Sequence, residues 1–151
     1  MHGLAMKLIS CFGIGLGKRA DYFDPWFKSQ CSSTFRGIHY KPRVKTADGY
    51  THKLVTPEHT DSGFITLLST FMYPGLEVEI NGEYKPIKPI KNAIVVNIGD
   101  MLEEISGYQV KATSHRVVDI GVERYSAPFF FDPKFSARIS KDVLQSKRQY
   151  V

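Results

Sequence analysis

The sequence predicts a mainly β domain, a sandwich or barrel with helices packed against one side. Three observations carry this. Short β-rich runs recur through the middle of the chain, bounded by Gly, Pro, Asn or Asp. Asn81-Gly82 lies between two of them and is a strong two-residue hairpin signal, because both central positions of that turn need positive φ. Apolar residues at helical spacing are concentrated before residue 30, so helices precede the strands rather than alternate with them.

Leu4, Leu8, Cys11 and Phe12 recur at helical spacing and predict a helix over residues 3–16, with this stripe packed inward and Cys11 a packed thiol. Glycines 15 and 17 should end it, since glycine readily takes the left-handed cap conformation. Residues 21–27 predict a second short helix with Pro25 in its first turn. Thr34, Phe35, Ile38, Tyr40 and Val44 indicate strand, Pro42 confines it to an edge or an end, and Asp48-Gly49 marks a turn. Residues 64–71 are apolar and β-rich, and Pro74-Gly75 separates them from 76–80, where Leu76, Val78 and Ile80 alternate onto one face. Residues 84–87 return from the hairpin. Residues 93–98 form an apolar strand ending at Gly99-Asp100; Asn97 serves the turn and Asp100 caps a helical turn over 101–105. Residues 108–112, 115–118 and 124–131 are further strands, the last with its pairing interrupted by Pro128 and closed by Asp132-Pro133. No repeat or low-complexity linker divides the chain. The expected organisation is a helical support segment over 1–30, a β core over 31–135 and a polar, basic tail, in part helical, over 136–151.

With 151 residues, 42% hydrophobic and 13% aromatic, the chain can bury a sizeable core, which excludes a largely disordered protein. The net charge is +5, but the basic residues are scattered and cluster only near the C-terminus, so a solvated surface is expected rather than a nucleic-acid site. The apolar stretch over 8–16 is too short to span a bilayer and lacks the flanks of a signal peptide. Two cysteines without such a signal make no disulfide framework. A cytoplasmic, reducing location with no membrane or nucleic-acid partner is the expectation.

The chemistry-bearing residues are His59 and Asp61, one residue apart, and His115. Two imidazoles and one carboxylate suit a non-haem Fe(II) site that keeps coordination positions open. On a strand, residues i and i+2 share a face, so His59 and Asp61 could reach one metal from a strand end. A jelly roll would bring the distant His115 beside them. Of the other histidines, His39 lies between Ile38 and Tyr40 and could face either solvent or a pocket, and none has a carboxylate two residues away.

Four segments then agree in order and spacing with one family. Glu58-His59-Thr60-Asp61-Ser62-Gly63-Phe64 resembles the first metal motif of isopenicillin N synthase-like 2-oxoglutarate/Fe(II)-dependent dioxygenases. Val95-Val96-Asn97-Ile98-Gly99-Asp100 is similar to the strand and turn before the distal histidine. Lys111-Ala112-Thr113-Ser114-His115-Arg116-Val117 resembles the histidine motif, and Arg124-Tyr125-Ser126-Ala127-Pro128 the oxoacid-binding motif. The resemblance implies a double-stranded β-helix, or jelly roll, with N-terminal packing helices. It implies His59, Asp61 and His115 as the Fe(II) ligands, which are also the catalytic set. Arg124 and Ser126 are implied as binders of the distal carboxylate of 2-oxoglutarate; a guanidinium offers a planar fork and the serine one further donor. Upstream, Thr34-Phe35-Arg36-Gly37-Ile38-His39-Tyr40-Lys41-Pro42 is similar to the family segment before the metal motif, which implies Tyr40 as another donor to that carboxylate. Ile38 departs from the pattern, since many plant members have asparagine there.

The implied activity is oxidation of a small organic substrate by O2, by hydroxylation or desaturation, with release of succinate and CO2. A few relatives use the same arginine and serine to hold the substrate's own carboxylate, and the two residues leave that choice open. The resemblance covers only the second part of a typical family protein. This implies an incomplete jelly roll and a partner or a missing N-terminal region that completes it. The alternative is a catalytically inactive relative acting as an interaction or structural module.

Overall fold

In the computed structural model, which describes residues 1–42 and 54–139, the strands form two antiparallel sheets. The first has the order β1 (Ser32–Phe35), β9 (Arg124–Asp132), β4 (Ile65–Ser69) and β7 (Val95–Ile98), with β2 (Ile38–Tyr40) also pairing β9. The second has the order β3 (Leu54–His59), β8 (His115–Val118), β5 (Leu76–Ile80) and β6 (Glu83–Pro86). Helices α1 (His2–Gly15) and α2 (Asp24–Phe27) precede the strands, and α3 (Asp100–Ile105) follows β7. This is a jelly roll with N-terminal packing helices. Val44, Asp48-Gly49 and the tail from residue 140 lie outside the described residues; the described residues 136–139 are not helical, and Ile139 packs against the core.

Alternation along the first sheet divides its two faces. Ile65 and Leu67 of β4 and Phe129 and Phe131 of β9 point into a core with Ala5, Ile9, Phe23, Phe27 and Phe64. Thr66, Leu68, Ser126, Pro128 and Phe130 point the other way and line a cavity. The helical side is held by ring contacts, with Phe27 stacked 4.8 Å from Phe131 and edge-on at 5.0 Å to Phe64.

The helices differ from expectation in which residues they bury. On α1 the buried line is Ala5, Ile9 and Gly13, continued by Leu16, while Leu4 and Cys11 are exposed. At Gly13 the chain that follows the helix folds back closely: a Cβ there would lie 3.0 Å from the Arg19 carbonyl oxygen. The glycine cap is present, with Gly17 at φ 73° and Lys18 N–H donating to the Gly13 carbonyl at 2.9 Å. Pro25 does sit in the first turn of α2.

Two further expectations are corrected, and one, the interruption at Pro128, holds on one side of its strand. Residues 108–112 are not a strand: Ser106 caps α3, Tyr108 takes φ 62°, and the chain turns there. Pro128 interrupts the pairing of β9 on one side only: β9 runs unbroken through it and pairs β4 there, while the pairing with β1 and β2 breaks opposite it. In an antiparallel strand the N–H and C=O of one residue face the same neighbour. The Pro128 carbonyl accepts the Arg36 N–H at 3.0 Å, but Pro128 has no N–H to return to that neighbour, and β1 and β2 part at this point. Asp100 does not cap α3 either: Gly99 is the N-cap, without a side-chain bond, and Asp100 is the first helical residue.

Asp132 ends β9 and accepts the Phe64 N–H at 2.8 Å. A Cβ at Gly63 would collide with its carboxylate, which accounts for that glycine. Burial pushes the Asp132 carboxyl above its ordinary value; the Phe64 N–H pulls it down and Asp61 pushes it further up. A raised folded-state value means the native chain binds more protons than the unfolded one. Stability from this group is therefore full below the ordinary value near 3.8 and falls as pH rises through the raised one. Asp132→Asn keeps the acceptor and removes the charge. Urea midpoints measured from pH 3 to 7 are expected to lose that fall, with the variant no less stable than the parent at pH 7.

Candidate metal centre and anion site

His59 ends β3 and His115 begins β8, and the two are direct cross-strand partners. Pairing across an antiparallel ladder brings their rings to 4.3 Å between centroids, at 53°. Each Nδ1–H donates to a backbone carbonyl two residues upstream, His59 to Pro57 at 2.8 Å and His115 to Thr113 at 3.1 Å. A carbonyl only accepts, so these bonds fix the tautomer and leave both Nε2 lone pairs free for a metal.

Asp61 lies two residues beyond the end of β3, so the strand pleat expected from the His-x-Asp spacing does not place it. The start of α3 does. The Asp100 N–H donates to the Asp61 carbonyl at 2.8 Å and the Met101 N–H to the Gly63 carbonyl at 3.1 Å. These N–H groups have no partner within the helix, so the loop supplies one. Gly99 permits the approach, since a Cβ there would collide with the Gly63 carbonyl. The ligand atoms of His59, Asp61 and His115 lie within 4.8 Å of one another. The His115 Nε2 is 3.9 Å from Asp61 Oδ1, and the other carboxylate oxygen accepts from Asn97 Nδ2 at 3.4 Å. Asn97, expected to serve a turn, is instead a strand residue that steadies a carboxylate in the cavity; the apolar run around it hides this. Asp61 and His115 are buried and His59 is exposed, so the set opens to solvent on one side.

The facing sheet supplies a cation. Arg124 lies opposite Tyr40 in the β2–β9 register, and its guanidinium carbon stands 3.8 Å above the Tyr40 ring. Ser126, two residues on and on the same face, donates to the Tyr40 hydroxyl at 3.4 Å. Arg124 is only 4% exposed, and among the described residues its Nη2 is a buried nitrogen with no hydrogen-bond partner. Burial pushes the guanidinium below its ordinary value, against the opposing pull of Tyr40 and Asp119. A buried, charged donor without an acceptor is costly, and an anionic oxygen in the cavity would satisfy it. Gly75, at φ 111°, closes the other side of Arg124; a Cβ there would lie 3.0 Å from the Val118 carbonyl and 3.4 Å from Nη2.

Between the sheets is a cavity of about 140 Å³, lined by His59, Asp61 and His115 together with Tyr40, Arg124 and Ser126. All six residues singled out from the sequence thus meet in one space, which has room for a small organic acid beside a metal ion. His39 is not among them: it stacks on Tyr125 at 4.6 Å, with Nε2 2.7 Å from Glu123, facing away from the cavity. Two imidazoles and a carboxylate would leave positions open on a metal, the donor set of a non-haem Fe(II) centre, and the open Nη2 of the guanidinium fits a carboxylate ligand.

Comparison with known proteins agrees. The sequence profile of the 2OG-Fe(II) oxygenase superfamily matches residues 30–133. The chain is 33% identical over 134 residues to the 2-oxoglutarate-Fe(II) type oxidoreductase hxnY of Emericella nidulans, covering 87% of this chain and 38% of that protein. It is 34% identical over 135 residues to gibberellin 20 oxidase 1 of Arabidopsis thaliana, covering 89% of this chain and 34% of that one. Among solved structures, a full-length Neurospora crassa protein in complex with alpha-KG superposes with a TM-score of 0.85 at 31% identity, covering 97% of this chain and 48% of that chain. The chain therefore spans less than half the length of these relatives. The match of the profile across both sheets, together with the donor set they enclose, establishes that the chain belongs to the 2OG-Fe(II) oxygenase superfamily, among the isopenicillin N synthase-like 2-oxoglutarate-dependent dioxygenases.

Proposed function

We propose that this chain carries the catalytic core of an Fe(II)- and 2-oxoglutarate-dependent oxidation of a small organic substrate, by hydroxylation or desaturation, with O2 consumed and succinate and CO2 released. The observation that carries this reading is one cavity holding the His59, Asp61 and His115 donors and the buried guanidinium of Arg124, whose Nη2 has no hydrogen-bond partner among the described residues.

In this reading His59, Asp61 and His115 hold Fe(II), which when bound supplies the activation of O2 and the oxidising power. The chain's own residues do the rest. The Pro57 and Thr113 carbonyls keep both imidazoles in the metal-binding tautomer. Asn97 holds the Asp61 carboxylate. Arg124 and Ser126 receive the distal carboxylate of 2-oxoglutarate, and the Tyr40 ring under the guanidinium keeps its plane fixed. The apolar residues Leu68, Pro128 and Phe130 exclude water from the remaining space, where a substrate would lie. We retain the division into a support segment over 1–30, a core over 31–135 and a tail over 136–151. No helix among the described residues is long and apolar enough to cross a membrane. We place the chain in the cytoplasm, which the exposed free thiol of Cys11 supports.

A second reading, a silent interaction module completed by a partner or by further chain, has support of its own in exposed Phe35, Phe71 and Met72. Oxygen uptake and succinate release by the purified chain with Fe(II), with and without 2-oxoglutarate, separate the two. Uptake that depends on 2-oxoglutarate and matches succinate formed is the expected result. Folded protein that neither binds Fe(II) nor forms succinate would overturn the enzymatic reading.

A further inference from the structure

We infer that Tyr84, outside the cavity, is a positioning residue for the metal ligand His115. The inference rests on the metal reading of His59, Asp61 and His115 and adds to it the part that aims one imidazole.

Alternation places Glu77, Glu79, Tyr84 and Arg116 on one face of the β8–β5–β6 sheet, and Leu76, His115 and Val117 on the cavity face. On the outer face Arg116 Nε–H donates to Glu77 at 2.8 Å, and its guanidinium carbon stands 4.1 Å above the Tyr84 ring. Arg116 and Glu77 are both half-buried, which holds the stack better than an exposed pair would. The ring so held directs the Tyr84 hydroxyl to Ser114 Oγ at 2.8 Å.

Ser114 links the two faces. It precedes His115 and follows Thr113, whose carbonyl takes the His115 Nδ1–H. Residues 111–114 belong to no strand. Two described bonds anchor Ser114, the Tyr84 hydroxyl on its side chain and the Glu79 N–H on its carbonyl at 2.9 Å. Thr113 can turn only as far as Ser114 lets it. A shift of the Thr113 carbonyl rotates the imidazole about its Nδ1 bond and moves Nε2 away from the point it shares with His59 and Asp61. The line from Tyr84 through Ser114 and Thr113 to His115 therefore sets the direction of a metal lone pair from outside the cavity.

Tyr84→Phe keeps the ring under Arg116 and removes only the hydroxyl. Titration of the apo chain with Co(II) is expected to show an affinity about 10-fold weaker, with a changed visible Co(II) absorption, while the melting temperature moves by no more than about 3 °C. Ser114→Ala should give the same change, and the double variant no more than either single one, because both break one bond. Ser114→Thr, which keeps a hydroxyl, should restore the parental spectrum. A purely structural role would lower the melting temperature and leave the spectrum alone. Unchanged affinity and spectrum in Tyr84→Phe and Ser114→Ala, with a parent chain that binds Co(II), would overturn this inference by itself. A folded parent chain that binds no Co(II) would overturn the metal reading and this inference with it.

Discussion

His59→Ala is expected to reduce succinate release by at least about 100-fold and to leave the fold nearly untouched. Outer partners of metal ligands alone are worth about 10- to 100-fold in metal affinity or activity, so loss of a ligand should cost more. His59 is the exposed member of the triad, and among the described residues it ends a strand at the edge of its sheet and its ring makes one hydrogen bond, to its own chain at Pro57. An exposed bond of that kind contributes about 1 kcal/mol or less, and for a chain of this size the melting temperature should fall by no more than about 4 °C. Asp61 makes a less clean test. Its removal would strand the Asn97 amide in the cavity and disturb the loop that α3 holds. The measurement is a Co(II) or Fe(II) titration beside a thermal melt and a succinate assay. A His59→Ala chain that still binds the metal as tightly as the parent would remove His59 from the ligand set.

The candidate site is more legible in the sequence than the strand that carries part of it. Asn81-Gly82 announces its hairpin because both residues do take positive φ, 55° and 81°. The His59, Asp61, His115 and Arg124 pattern is a linear signal because donor chemistry belongs to the residue type, which the sequence states directly. Strand β3 is not legible. Pro57 lies inside it, and its ladder with β8 shifts register twice between Leu54 and His59. An edge strand tolerates such a proline, but edge position is a property of the whole sheet and not of the segment. The same limit explains α1. Its sequence is apolar on several sides, so periodicity cannot say that Ala5, Ile9 and Gly13 face the core; the close approach of Arg19 and Phe23 decides it. Asp61 shows the third kind of loss. Its spacing from His59 suggests strand geometry, whereas the N–H groups at the start of α3, some 40 residues on, hold its loop.

Arg124→Met carries two opposite signs, and their combination distinguishes an anion site from a structural arginine. In the ligand-free chain the Arg124 Nη2 is buried and has no partner among the described residues, a state that costs about 1–3 kcal/mol. Methionine has a comparable unbranched stem and no donor. Its thioether can rest on the Tyr40 ring and recover about 0.3–1.5 kcal/mol, against the roughly 0.5–2 kcal/mol of the cation over that ring. The balance favours the variant, and the melting temperature of the apo chain is expected to rise by about 2–4 °C. Affinity for 2-oxoglutarate moves the other way. Losing one partner of a buried, hydrogen-bonded charge pair costs about 2–5 kcal/mol, at least about 30-fold in dissociation constant. Arg124→Lys should fall between, since it keeps the charge and loses the planar fork. Co(II) binding should stay at the parental level in both, because Arg124 is not one of the three metal donors. The three readouts are a thermal melt, a Co(II) titration, and a 2-oxoglutarate titration of the metal-loaded chain. An arginine kept for the fold would give a lower melting temperature with 2-oxoglutarate affinity unchanged. A higher melting temperature with 2-oxoglutarate binding lost is the result that only a guanidinium held in readiness for a carboxylate produces.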